Sequence, residues 1–347
     1  MNQDIILEIG NNLNIKPKQV ETVLNLLSEG NTIPFIARYR KEATGALDEE
    51  VIRSINEVYE YQVNLLKRKE DVIRLIDEKG LLTDELKTSI LKCQKLVEVE
   101  DLYRPYKEKK KTKATEAIKN GLEPLAKMMM SFPTTGNLEE MAKKFITENV
   151  ETVEKAVEGA KFIIAEWISD NASYRKWIRS FVFRNGILST KVKKDNQDEK
   201  KVYEMYYDYK EEVRNIKPHR ILAINRAEDE KVITVSIDVN QEEITAYLES
   251  KLIKNKNSFV VNEVIDAIKD SLKRLIYPSI EREIRSELTD KANVVAIENF
   301  GKNVESLLLQ PPMKEKVVLA FDPGYTNGCK LAVIDKTGKY LFSTVIK

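Results

Sequence analysis

The sequence predicts a mainly α fold, arranged as a multidomain helical scaffold with a small central β element and the first strands of an α/β domain near its C-terminus. Three patterns indicate this. Apolar residues recur at spacings of three and four over most of the chain, as on one face of a helix. Residues 232–237 (VITVSI) form an isolated run rich in β-branched residues. Three more apolar runs follow residue 316 and are joined by glycine-containing turns, as in a sheet.

Size and composition indicate a folded protein with more than one unit. The chain has 347 residues, and domains usually hold about 100–200. Apolar residues make up 42% and charged residues 33%, a mixture that supports a packed interior and argues against disorder. The 57 basic residues are balanced by 56 acidic ones, so the whole molecule has no general attraction for phosphate. Any nucleic-acid contact must therefore come from local basic patches.

The composition also argues against several kinds of site. Cys93 and Cys329 form neither a disulfide framework nor a metal cluster, and they fit a reducing, cytoplasmic location. His219 is the only histidine, so a histidine-based triad or metal pair is not expected. Gly324 and Gly328 follow an apolar run but lack the lysine of a phosphate-binding loop. No apolar run approaches the roughly 20 residues of a membrane span. We therefore expect no metal, no cofactor and no membrane partner.

The N-terminal residues predict a compact helical hairpin. Pro17 suits a first helical turn, and Gly30 suits a helix C-terminus. Apolar residues at helical spacing lie between them. Residues 32–36 interrupt the pattern and are expected to be irregular.

A long helix is predicted next. Asp48 is a suitable cap, and an apolar stripe with steps of three and four follows over residues 51–76 as far as Gly80. Gln62 and Lys69 interrupt the stripe. The pattern therefore favours an arm that packs on helices of its own chain over a dimeric coiled coil.

Further helices follow with one short strand between them. Thr83 suits the start of another helix, and residues 115–186 form a second helical block. Residues 191–201 carry mixed charges and predict an exposed loop or linker. Beyond the predicted strand, residues 259–310 return to long helices, with Pro278 as a break.

The segment RYRK at residues 38–41 is one candidate nucleic-acid site. Arg38, Arg40 and Lys41 surround Tyr39, a pattern that offers phosphate contacts and a face on which a base can stack. The favoured alternative is structural: Arg38 and Arg40 would pair with the acids at residues 48–50 and fix the turn.

Residues 103–113 are the strongest basic patch. Six cations and one acid give it a local net charge of +5, beside two tyrosines. Such density favours salt-sensitive, sequence-tolerant phosphate binding, although a solvated lysine-rich loop would show the same pattern. The six cations are Arg104, Lys107, Lys109, Lys110, Lys111 and Lys113.

Four stretches of the chain resemble the Tex family of bacterial transcription accessory proteins. They are residues 31–45 (NTIPFIARYRKEATG), 100–107 (EDLYRPYK), 219–226 (HRILAINR) and 319–324 (LAFDPG). The resemblance covers nearly the whole chain.

The resemblance implies a protein of roughly twice this length, as in families that add modules to a helical base. An RNase H-like domain of the YqgF type would follow the helical region, then helix-hairpin-helix units and an RNA-binding OB-fold domain. We accordingly expect a Tex-like N-terminal helical region at residues 1–195, a central helical region with a small sheet at 196–315, and an incomplete YqgF domain at 316–347. The implied function is nucleic-acid binding, to RNA or DNA, as an accessory protein or scaffold in transcription and in RNA- or translation-linked steps. Transcription or ribosomal machinery would be its partners.

The resemblance also points to one acidic residue. Asp322 lies at the end of a predicted strand, where RNase H-like nucleases place the first carboxylate of a two-metal site. Two-metal chemistry needs further acids from later strands, and Tex-type domains are regarded as lacking the full set. We therefore expect no enzyme activity. Two alternatives stay open: a metal-dependent RNase H-like nuclease in the full-length form, and a purely protein-binding helical scaffold.

Overall fold

The computed structural model describes residues 2–109, 111–195, 198–311, 313–324 and 328–346. The fold is mainly α with two small three-stranded sheets, as the sequence predicts. Within the described ranges, no helix has the length and apolar character needed to cross a membrane.

The chain forms two compact units. The first comprises Met1–Ser189, Lys210–Arg214 and Ser236–Ile284, and the second comprises Thr190–Tyr209, Asn215–Val235 and Arg285–Lys347. The domain boundaries expected near residues 195 and 315 stay a prediction.

The first unit begins with short helices that precede a long one. They are α1 (Gln3–Asn12), α2 (Pro17–Ser28), α3 (Ile33–Tyr39), α4 (Lys41–Thr44) and the long α5 (Glu49–Asp77). Pro17 lies in the first turn of α2, and Gly30 follows that helix with a φ of +87°. Helices α1 and α2 pack against each other, which confirms the predicted hairpin.

Residues 32–36 are largely helical, so the prediction of an irregular stretch was wrong. Helix α3 begins at Ile33, with Pro34 in its first turn. Proline is tolerated there because its missing N–H would have no intrahelical partner in a first turn. The helix buries Ile36 and Ala37 in the cluster that also contains residues of α5. Its opposite face is therefore left toward solvent.

Helix α5 confirms the predicted long helix. The Asp48 side chain accepts a hydrogen bond from the backbone N–H of Val51 at 2.8 Å and so caps the helix. The helix packs on α1, α2 and α3 at one end and on α6 (Asp84–Lys92) and α7 (Leu96–Tyr103) at the other. The contacts are those of an intramolecular arm. Its buried residues are Ile52, Ile55, Leu65, Val72 and Ile76.

The second helical block is also confirmed. A 3₁₀ turn (Arg104–Tyr106) precedes it, and α11 lies at its centre, in contact with α8 and α9. Its helices are α8 (Lys113–Lys119), α9 (Glu123–Met130), α10 (Leu138–Lys143), α11 (Val153–Asp170) and α12 (Ala172–Asn185).

Pro278 does not end a helix, contrary to the prediction. Helix α15 (Val261–Asp270) continues through a π-helical segment (Ser271–Ile276) into α16 (Tyr277–Leu308). Proline lacks the N–H that bonds back along a helix and crowds the preceding turn. The wider π turn, which ends two residues before Pro278, changes the hydrogen-bond register, so the helix continues instead of stopping. The two helices before α15 are α13 (Pro218–Asp229) and α14 (Gln241–Leu252).

The first sheet has the strand order β2-β1-β3. Strand β3 (Ile233–Asp238) confirms the predicted strand, whereas β1 (Ile187–Val192) and β2 (Lys210–Glu212) were not predicted. Strand β2 reads KEE and has no apolar residue from which a strand could be recognised.

Three strands near the C-terminus form the second sheet, as predicted. Strands β4 (Val318–Asp322), β5 (Cys329–Ile334) and β6 (Tyr340–Ile346) pair antiparallel in the order β4-β5-β6. Apolar side chains such as Phe321 and Phe342 are exposed on it.

Candidate nucleic-acid interface

Arg38, Tyr39, Arg40 and Lys41 form a surface that is exposed to solvent, here called the α3 surface. All four residues are exposed, and Tyr39 is 67% exposed. The position of this surface is fixed, because the apolar face of α3 is buried in the hydrophobic core. A ring and three cations on a fixed helix end can stack on a base and contact phosphates.

The cations of the α3 surface are not taken up by the acids proposed as their partners. Among the described residues, Arg38, Arg40 and Lys41 form no ion pair. Asp48 caps α5, and Glu49 pairs with an arginine of its own helix. The described residues therefore contain no ion pair of the kind that the structural alternative predicts. The Arg40 guanidinium lies 5.1 Å from the centre of the Phe35 ring.

The second basic patch follows the 3₁₀ turn and enters α8. Lys107, Lys111 and Lys113 are exposed, while Lys110 lies outside the described residues. The Lys113 ammonium lies 4.5 Å from the centre of the Phe162 ring. Three of the predicted cations therefore face solvent close together along the chain.

Lys109 differs from its neighbours because it is held by two acids of α11. Its ammonium donates a short hydrogen bond to Asp170 and lies 3.3 Å from Glu166. Both carboxylate side chains are only 12% exposed. Burial raises the pKa of Asp170, and the hydrogen bond from Lys109 opposes that rise. Lys109 thus ties the lysine-rich loop to the helical block.

Arg104 is half-buried and has no carboxylate partner. Its guanidinium forms no hydrogen bond or ion pair with any residue that the structure describes. Burial lowers its pKa and the neighbouring Arg175 guanidinium lowers it further, whereas the charges of Asp101, Asp170 and Glu283 oppose this shift. The charge is retained nonetheless, because arginine is not deprotonated in proteins.

A buried group of ions close to this patch was not foreseen. Arg175, which is fully buried, donates to Asp101 at 2.8 Å and to Glu283 at 2.7 Å. Arg179 donates to the same two carboxylates at 2.9 and 2.8 Å. The four side chains connect α7, α12 and α16. One sequence signal was available: Asp101 lies in the EDLYRPYK stretch, which carries part of the family resemblance.

Asp322 lies at the end of β4, as predicted, and is exposed opposite Lys330. The next three residues after Gly324 lie outside the described part of the chain. In the part that the structure describes, no three His, Cys, Asp or Glu residues are grouped so that they could hold a metal ion. His219 is exposed in the first turn of α13.

Three domain models of one family match the chain. The Tex-like protein N-terminal domain matches residues 3–77, the Tex central region-like domain matches 134–300, and the Tex protein YqgF-like domain matches 316–347. Together they follow the order of elements in the structure, from the N-terminal helices to the C-terminal sheet.

Three relatives agree with these domains. Over 349 residues the chain is 52% identical to the uncharacterized protein YdcI of Bacillus subtilis, covering 100% of this chain and 48% of that protein. It is 34% identical to the transcriptional accessory protein Tex of Neisseria gonorrhoeae, covering 94% of this chain and 44% of that protein. It is 31% identical to the human S1 RNA-binding domain-containing protein 1, covering 100% and 36%. The chain thus spans about half or less of these relatives, and by its three domain matches it belongs to the Tex family.

Proposed function

We propose that this chain is a non-catalytic, nucleic-acid-binding part of a transcription accessory protein. The observation that carries the proposal is the α3 surface, where three unpaired cations surround an exposed tyrosine ring. The exposed lysines that follow the 3₁₀ turn add a second contact region. The names of two relatives, a transcriptional accessory protein and an S1 RNA-binding domain-containing protein, support a role in transcription and RNA binding.

The binding would be weak and tolerant of sequence. Cations and an aromatic ring contact phosphates and base faces, which every nucleic acid presents. The net charge of +1 gives no long-range attraction, so binding depends on local patches that salt screens beyond about 8 Å at physiological ionic strength. RNA and DNA are both candidate ligands. A cytoplasmic location and partners in the transcription or ribosomal machinery complete the proposal.

Fluorescence anisotropy across a salt series tests the proposal, with a single-stranded RNA and a duplex DNA as probes. Each phosphate contact contributes about −0.7 to the slope of log K against log salt for single strands and about −0.9 for duplex DNA. Replacing Arg38, Arg40 and Lys41 together by Gln should therefore flatten the slope by roughly 2 for RNA. The same replacement of Lys107, Lys111 and Lys113 should act in the same direction.

A third triple variant provides the control for charge. Lys127, Lys143 and Lys155 are exposed lysines that pair within their own helices or with a nearby acid. Replacing them by Gln removes the same total charge and should leave the slope unchanged. Wild-type slopes in both test variants, or no binding at low salt, would contradict nucleic-acid binding and favour a protein-binding scaffold.

A further inference from the structure

A cavity of about 280 Å³ opens beside the second basic patch, entirely within the first unit. One wall comes from α7 and the residues that follow it, and the other comes chiefly from α11. The wall contains three cations and a buried serine, Ser169. The cations are Arg104, Lys107 and Lys109.

The acids of the cavity wall are already paired. Glu100 accepts a hydrogen bond from Arg68 at 2.6 Å. Glu166 and Asp170 share the ammonium of Lys109. The carboxylates that could neutralise a cation in this cavity are therefore engaged by other side chains.

Two cations of the wall are left without such partners. Neither Arg104 nor Lys107 forms an ion pair with a described residue, and Arg104 is also half-buried. Arg104 is partly desolvated, and the carboxylates near it, Asp101, Asp170 and Glu283, are each bonded to another cation. A bound anion would therefore be stabilised there. The guanidinium presents a planar fork of N–H donors that matches two oxygens of a phosphate. Lys107 would add a second positive charge at the mouth of the cavity.

We propose that this cavity is an oxyanion site that receives one phosphate group of a nucleic-acid backbone, with Arg104 as its principal ligand. The identity of the ligand as nucleic acid rests on the proposed function. The exposed lysines would attract the strand, and Arg104 would fix a single phosphate in register. Lys109 would hold the wall in place through its acids instead of contacting the strand.

Calorimetric titration with inorganic phosphate tests the site itself, at an ionic strength held constant with chloride. We expect saturable binding to the wild-type chain and at least tenfold weaker binding to Arg104→Gln. Arg104→Lys keeps the charge but loses the bidentate fork, so its affinity should be intermediate. Arg53→Gln, at an exposed arginine paired within α5, is the control and should bind as the wild type does.

Two results of this titration would contradict the phosphate site. Equal phosphate affinity in Arg104→Gln and the wild type would overturn the site. The site would also be overturned if the wild type bound phosphate no more tightly than chloride. Circular dichroism checks that each variant is folded, and if Arg104→Gln does not fold, Arg104→Lys and Lys107→Gln decide by the same titration. Each should weaken phosphate binding.

A second titration, with a short single-stranded RNA, tests the source of the phosphate. A loss of RNA affinity in Arg104→Gln, alongside its loss of phosphate binding, supports the assignment. Phosphate binding with an RNA affinity that Arg104→Gln leaves unchanged contradicts it. Phosphate binding with no RNA binding in any variant would defeat the proposed function while the oxyanion site stood.

Discussion

Arg175 and Asp101 are joined inside the first unit by a hydrogen bond of 2.8 Å from Nε to Oδ1, although they lie 74 residues apart in the chain. Arg175 is fully buried, and the Asp101 side chain is 5% exposed. The pair is therefore shielded from water. With Arg179 and Glu283 it forms a group of two cations and two carboxylates whose charges balance.

The first prediction concerns Arg175→Met, which removes one of the two cations that Asp101 and Glu283 share. Removing one partner of a buried pair typically costs about 3–5 kcal/mol, because the remaining charge stays desolvated. Urea unfolding followed by circular dichroism should show a loss of this size. The control, Arg53→Met, breaks an exposed pair within one helix and should change the unfolding free energy by less than about 0.5 kcal/mol. Similar losses in the two variants would show that the buried pair contributes no more to the unfolding free energy than an exposed pair does.

A second prediction concerns acid and Glu283. Burial opposes its ionisation, but hydrogen bonding by Arg179 and the charges of Arg179 and Arg175 outweigh burial, so the pKa of Glu283 lies below its usual value of 4.5. Its ionised form therefore stabilises the fold. That contribution is complete above about pH 4.5 and is lost as the pH falls through the lower pKa of the folded state.

Glu283→Gln tests this dependence through unfolding free energies measured between pH 7 and pH 3. The variant should be less stable than the wild type at pH 7, and the difference should shrink as the pH falls below 4.5. A difference that stays constant over this range would show that the charge of Glu283 does not stabilise the fold.

A third prediction separates two neighbouring lysines. Lys109→Met should lower the unfolding free energy by about 1–3 kcal/mol, because it removes the cation that Asp170 and Glu166 share. Lys107→Met, at an exposed lysine without an ion-pair partner among the described residues, should change it by less than about 0.5 kcal/mol. Urea unfolding of both variants gives the comparison. Equal effects would mean that the contact of Lys109 with α11 contributes no stability.

Hydrogen exchange provides a fourth prediction. The sheet of β4, β5 and β6 exposes large apolar side chains, among them Phe321 at 55% and Phe342 at 58%. Few packed neighbours and exposed strand edges permit local opening. We expect its amides to exchange faster than those of α5. Equal protection would indicate that a further segment or a second chain completes the sheet.

The fifth prediction is that this chain does not cleave nucleic acid with Mg²⁺ or Mn²⁺. Two-metal cleavage needs several carboxylates around the ions. No such group surrounds Asp322 among the residues that the structure describes. Incubation with labelled RNA and DNA gives the measurement. Metal-dependent cleavage that disappears in Asp322→Ala would establish the nuclease alternative.

Local signals in the sequence were sufficient to predict most helices. Asp48 and Thr83 cap α5 and α6 as their side chains suggest, each by accepting a hydrogen bond from a backbone N–H three residues later. Such caps and the helical spacing of apolar residues act within a few positions of the chain, so they can be recognised without the fold. Helix α3 and the passage through Pro278 were misjudged because both depend on how a proline is accommodated in a helix.

The roles of the charged residues could be decided only by the tertiary structure. In sequence, Lys109 is one of six similar cations, yet packing places it against Asp170, 61 positions away, and leaves Lys107 exposed. Arg38 and Arg40 were expected to pair with acids only a few positions away, and the fold uses two of those acids elsewhere. An ion pair depends on where helices pack and how much water they exclude. Local patterns therefore suffice to predict most helices and the positions of the basic segments, whereas the packing of the helices sets which cations are available for a ligand.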